Sequence, residues 1–167
     1  MNAYVIDTNV PIVANGRADH VSPTCVLNCI RKLKNLRNNG IVVLDTGMLI
    51  LREYMDNLSM SGQPGAGDFF MKWVWQNQGV AQRCEQVTIT PLSGDTGSFR
   101  EFPADPRLTS FHRKDRKFVA VARARQNDAE VLNATDSGWW VHRQALRANG
   151  VKVTFLCPEQ FGALADI

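Results

Sequence analysis

The sequence predicts an α/β domain, a three-layer α/β/α sandwich around a mainly parallel sheet of roughly five strands. Short β-branched runs alternate with longer stretches of helical period. Two of those runs close on an acid, Tyr4-Val5-Ile6 on Asp7 and Ile41-Val42-Val43-Leu44 on Asp45, as buried parallel strands do where they leave a sheet. A chain of 167 residues with a 44% hydrophobic share can bury one core, so a single domain over 1–167 is expected.

The elements follow in order. Residues 4–6 form the first strand. Ser22-Pro23 opens a helix, with Ser22 as N-cap and Pro23 in the first turn. Its apolar face is Val26, Cys29, Ile30, Leu33 and Leu36, its basic face Arg31, Lys32, Lys34 and Arg37, and Asn38-Asn39-Gly40 ends it. Residues 41–44 form the second strand, and a helix through Met48, Leu51, Met55 and Leu58 follows. Residues 61–67 read as a Gly/Pro loop, with Asp68 capping a helix over 69–77. A third strand is expected at 87–90, and 93–110 reads as one long surface loop, a length uncommon without a function. A helix over 115–126, a strand at 130–133, a helix over 139–148 and a last strand at 152–156 complete the order. Such alternation argues for parallel strands joined by helical crossovers.

Composition excludes several classes. The N-terminus lacks the basic stretch of a secretory signal, and no apolar run approaches the ~20 residues of a membrane span, so no membrane partner is expected. There is no repeat or low-complexity segment. Cys25 and Cys29 lie one helical turn apart but have no second close pair, as a zinc site would want. Buried, reduced thiols are expected at all four cysteines, which fits a cytoplasmic protein. The net charge of +3 says little alone, but Arg113, Lys114, Arg116 and Lys117 bracket Asp115. Anion-seeking groups around a cation-seeking one suit a phosphodiester-processing site.

In open parallel sheets, sites form beyond the carboxyl ends of the strands. Asp7 ends the first strand, Asp136 follows the fourth, Asp115 heads a helix, and Glu53 leans back toward the start of its own. All four are expected at one edge. Carboxylates gathered so closely repel unless a cation sits among them, and a partly open set of oxygen ligands suits Mg²⁺ or Mn²⁺. Each acid also has a plain alternative: a turn at Asp7-Thr8-Asn9, an exposed helix face at Glu53, a helix cap at Asp115, a turn at Asp136-Ser137-Gly138. Asp45 precedes a helix, so capping is its default role.

These stretches resemble the PIN-domain nucleases. Val5-Ile6-Asp7-Thr8-Asn9-Val10 looks like the opening strand of that family, and Arg52-Glu53-Tyr54 resembles its second acidic motif. Asp115-Arg116-Lys117-Phe118-Val119-Ala120-Val121-Ala122 resembles the third, an Asp heading an Ala-rich helix. Asn133-Ala134-Thr135-Asp136-Ser137 resembles the fourth. The likeness runs in order from Tyr4 to Phe155, through motifs that are individually short. It implies a Mg²⁺- or Mn²⁺-dependent endoribonuclease with Asp7, Asp115 and Asp136 as ligands and Glu53 completing the shell or orienting the water. RNA is the implied partner, with an antitoxin, another protein or a second copy of the chain as further ones. Two departures stand out. Many relatives carry an acid two residues after the fourth-motif Asp, where this chain has Gly138. The chain also exceeds the short toxin members, through 61–67 and 93–110.

Lys114, Arg116 and Arg123 are the candidates to follow a phosphate backbone, against the alternative of a solvated basic face. Of Trp73, Trp75, Trp139 and Trp140, which could stack on bases, three are expected to pack instead. A haloacid-dehalogenase-like phosphatase would need an acid where Asn9 stands. Gly62-Gln63-Pro64-Gly65-Ala66-Gly67 lacks the preceding strand and following Lys of a phosphate loop. The main competing reading is a PIN-like module that binds RNA or protein without cutting.

Overall fold

The computed structural model describes residues 1–167 except 62, 63, 96, 127, 163 and 165–167. Five strands form one all-parallel sheet in the order β3-β2-β1-β4-β5: β1 Asn2–Ile6, β2 Gly40–Asp45, β3 Cys84–Val87, β4 Ala129–Asn133 and β5 Lys152–Phe155. Helices α1 Asn9–Ala14, α2 Pro23–Asn39, α3 Leu49–Asn57, α4 Ala66–Asn77, α5 Arg116–Ala124, α6 Ser137–Val141 and α7 Arg143–Ala148 flank it, giving a three-layer α/β/α fold. From β1 the chain steps outward through β2 to β3, then returns across the sheet to β4 beside β1. Right-handed crossovers in opposite directions put their helices on opposite faces. The reversal makes the crevice between β1 and β4 the topological switch point.

Register brings the two strand ends together there. Ile6 pairs with Leu132, and the Asp7 amide donates to the Leu132 carbonyl at 3.0 Å. The inner strands are sealed by Val5, Ile6, Val42, Val43, Val131 and Leu132, with the fully buried Phe118 and Val119 of α5 also in this core. The expected α2 is present with its cap, the Ser22 hydroxyl accepting from the Cys25 amide at 3.1 Å. No helix among the described residues is long and apolar enough to cross a membrane.

Several expectations are corrected. The stretch after Asp7 is a short helix, α1, which Pro11 and the β-branched Val10, Ile12 and Val13 do not advertise. Asp68 lies inside the first turn of α4 and accepts from the Gly65 amide at 3.0 Å, so α4 begins before it. Gly67 permits this helix to lie on α1: a Cβ there would stand 1.9 Å from the Pro11 carbonyl oxygen. Gly62 and Gln63 of the glycine-rich stretch lie outside the described residues.

The third strand lies earlier than expected. Thr90 leaves the sheet to bond the Glu101 carboxylate through its amide and its hydroxyl, both at 2.9 Å. The stretch 93–110, of which residue 96 lies outside the described residues, is the expected surface loop but carries internal structure. Pro91 bridges Phe99, Pro106–Leu108 forms a 3₁₀ turn, and Leu108 and the adjoining Phe111 are buried. The last long helix is broken into α6 and α7 at His142, whose Nδ1 lies 2.7 Å from the Gly138 carbonyl. Cys25 and Cys157 are joined in a disulfide, not reduced, because α2 carries Cys25 beside the segment that follows β5. Cys29 and Cys84 remain free and buried.

Candidate metal centre

Asp7 leaves β1 at the switch point and is 4% exposed. Its Oδ1 accepts from the Asn9 amide at 3.0 Å, while its Oδ2 is buried with no hydrogen-bond partner. Asp115 precedes α5 at the end of a 3₁₀ turn, Arg113–Asp115. Asp136 caps α6, its Oδ1 accepting from the Gly138 amide at 2.9 Å. One carboxylate oxygen from each of Asp7, Asp115 and Asp136 lies within 4.8 Å of the others. They line a cleft of about 450 Å³ with Thr8, Ile12, Glu53, Asn57, His112, Lys114 and Gly138.

The electrostatics mark the trio as short of positive charge. Burial pushes the Asp7 carboxyl well above the usual range, and Asp115, Asp136 and Glu53 add to this, against the Asn9 amide. Asp115 is raised to about 7, first by burial and then by Asp136 and Glu53, with Lys117 pulling the other way. An orphaned buried oxygen and mutually repelling acids are the conditions a divalent cation relieves, so the donor set fits Mg²⁺ or Mn²⁺.

Glu53 stands beside the trio rather than among its converging oxygens. Its Oε2 accepts from the Thr8 hydroxyl and its Oε1 meets the Lys117 ammonium at 2.8 Å. Asp45 is a cap: it is 1% exposed, and its oxygens accept from the Leu49 and Ile50 amides at 2.8 and 2.9 Å. The basic candidates separate. Lys114 is exposed at the cleft. Arg116 instead donates to the Phe111 and Thr109 carbonyls at 3.1 and 2.9 Å, over the Phe102 ring. Arg123 donates to the Glu101 carbonyl at 2.8 Å. Both arginines tie 93–110 to α5, a role their seven-residue spacing does not reveal.

Among the tryptophans, Trp139 is fully buried, Trp73 and Trp140 are partly buried and Trp75 is 38% exposed. The Cys25, Cys29 and Cys157 sulfurs also cluster, but two of them are spent on the disulfide.

Four supporting residues went unassigned in the sequence. Asn9 ties the two strand ends: its Oδ1 accepts from the Ala134 amide at 2.7 Å and the Thr135 amide at 3.4 Å, which sets where Asp136 stands against Asp7. Tyr54 donates its hydroxyl to the Ile6 carbonyl at 2.5 Å, anchoring the helix of Glu53 beneath Asp7. Thr8 and Lys117 hold Glu53. Asn9 and Thr8 adjoin Asp7, and Lys117 is two residues beyond Asp115, so proximity to the acidic motifs was the only available signal.

No family model, curated protein or solved structure matches this chain.

Proposed function

We propose that this protein is a metal-dependent endoribonuclease of the PIN-like kind, holding its ion with Asp7, Asp115 and Asp136. The observation that carries this is the convergence of three carboxylates at the switch point, one with a buried, unpartnered oxygen. A bound Mg²⁺ or Mn²⁺ would activate a water and stabilise the charge that develops on a phosphodiester. The chain's own groups do the positioning. Asn9 fixes the loop of Asp136 against the start of α1, and the Asn9 and Gly138 amides orient the Asp7 and Asp136 carboxylates. Lys114 and His112 line the open side of the cleft, where a cationic side chain attracts an RNA backbone.

RNA as substrate implies action in the cytoplasm, where thiols are usually kept reduced and the Cys25–Cys157 disulfide would be an exception. As the toxic or effector half of a toxin–antitoxin or defence pair, the protein would arrest growth on expression, and Asp115→Asn would abolish the arrest. An arrest that persists in that variant argues against this role, whose partner would be an antitoxin or a second copy of the chain.

A second reading, an RNA- or protein-binding module that does not cut, is favoured by one observation: Asp136 already serves as a helix cap, and Gly138 offers no further carboxylate. Incubating a mixed RNA pool with Mn²⁺ or EDTA, using wild type and Asp7→Asn, separates the two. The nuclease reading expects cleavage only by wild type with Mn²⁺. Salt-sensitive binding with no cleavage would establish the second reading in its place.

A further inference from the structure

We propose that this is a one-metal centre in which the Lys117 ammonium stands on Glu53 in place of a second metal ion. The inference rests on the metal reading above and adds to it the number of ions and the role of a lysine. Asp7 and Glu53 keep different company. Asp7 has a buried oxygen with no partner, whereas both Glu53 oxygens are engaged, one by the Thr8 hydroxyl and the other by Lys117 at 2.8 Å. The Glu53–Lys117 pair is well shielded, with side chains 24% and 12% exposed.

Lys117 is held from three directions. Its ammonium also donates to the Lys114 carbonyl and lies 4.9 Å from the Phe118 ring centroid. An ammonium so fixed is a structural charge rather than a solvated one, and breaking a shielded pair leaves an uncompensated ion. Glu53 lines the same cleft as Asp115, Asp136 and Gly138. A second divalent ion would need oxygens there, yet position 138 supplies no carboxylate, its carbonyl faces His142 Nδ1 at 2.7 Å, and Glu53 is occupied. A fixed cation at Glu53 has the sign and place that a second ion would have. Lys117 is therefore a positioning residue: it neutralises Glu53 and limits the site to one ion.

Mn²⁺ binding, read by titration calorimetry and by electron paramagnetic resonance of the purified chain, tests this without reference to turnover. Wild type is expected to bind one ion per chain. Lys117→Met frees the Glu53 carboxylate and raises the number to two. The charge-conserving double variant Glu53→Gln with Lys117→Met returns it to one, with affinity within about threefold of wild type. Loss of a true ligand should cost at least ~10-fold. Should Lys117→Met fail to fold, the wild-type stoichiometry and the double variant still decide the question. Two ions in wild type, one in folded Lys117→Met, or a ~10-fold or greater loss in the double variant would overturn the proposal and leave the metal reading standing. No ion in wild type would overturn both.

Discussion

Replacing Asp115 by Asn should make the metal-free protein more stable while abolishing its response to metal. With no ion bound, Asp115 is held at about 7 against an ordinary 3.8, by burial and by its acidic neighbours. The folded chain then keeps a proton that the unfolded chain releases, so stability declines as pH rises from about 4 and the penalty is complete above about 7. The full difference corresponds to roughly 4 kcal/mol. The side chain is 17% exposed, and solvent screening reduces this, so about 2 kcal/mol is the expected gain for Asp115→Asn at pH 8. In a chain of this size that is an increase in Tm of roughly 4–8 °C. The gain should vanish near pH 4, where the wild-type carboxyl is also neutral. Mn²⁺ should raise the Tm of wild type at pH 8 and leave the variant unmoved. Thermal unfolding of both proteins at pH 4.5 and 8, with and without Mn²⁺, checks each part. A variant less stable than wild type at pH 8, or equally stabilised at both pH values, would refute the repulsion argument.

Three further outcomes are expected. Because Asp115 must lose its proton to act as a ligand, the apparent Mn²⁺ affinity of wild type should fall up to about tenfold per pH unit below 7, measurable by calorimetry across pH 5.5–8. Asn9→Ala removes the acceptor that ties Ala134 to the start of α1, so cleavage should fall about 10–100-fold with a stability loss of about 1–2 kcal/mol, read by kinetics beside denaturant unfolding. Cys25 and Cys157 are 132 residues apart, so reducing their disulfide should cost the fold roughly 2–4 kcal/mol, visible as a lower urea midpoint in dithiothreitol that Cys25→Ser reproduces without reductant.

What was legible in the sequence was local. The β1, β2 and β4 runs, the Ser22-Pro23 start of α2 and the acids that end or follow strands all announce themselves through residue type and period. The order of the elements was enough to bring Asp7, Asp115 and Asp136 to one edge, because parallel crossovers leave little choice. What stayed hidden depends on contacts between distant residues. Nothing near Cys25 points to Cys157. The directions of Arg116 and Arg123 follow from 93–110 folding back on α5, and a helical wheel shows only that both are basic. At the break between α6 and α7, His142 Nδ1 meets the Gly138 carbonyl, a contact that the helical period does not reveal. The company of Glu53 depends on a lysine 64 residues away.

The most direct test of the proposed chemistry is single-turnover cleavage of an end-labelled single-stranded RNA across a range of Mn²⁺ concentrations. It should be run on wild type and on Asp7→Asn, Asp115→Asn and Asp136→Asn, each shown to be folded. The expected result is cleavage that requires Mn²⁺, saturates with it, and falls at least ~100-fold in every variant, since each loses part of an interaction worth several kcal/mol in the transition state. Cleavage that persists in EDTA, or that survives loss of any one of the three carboxylates, would contradict it.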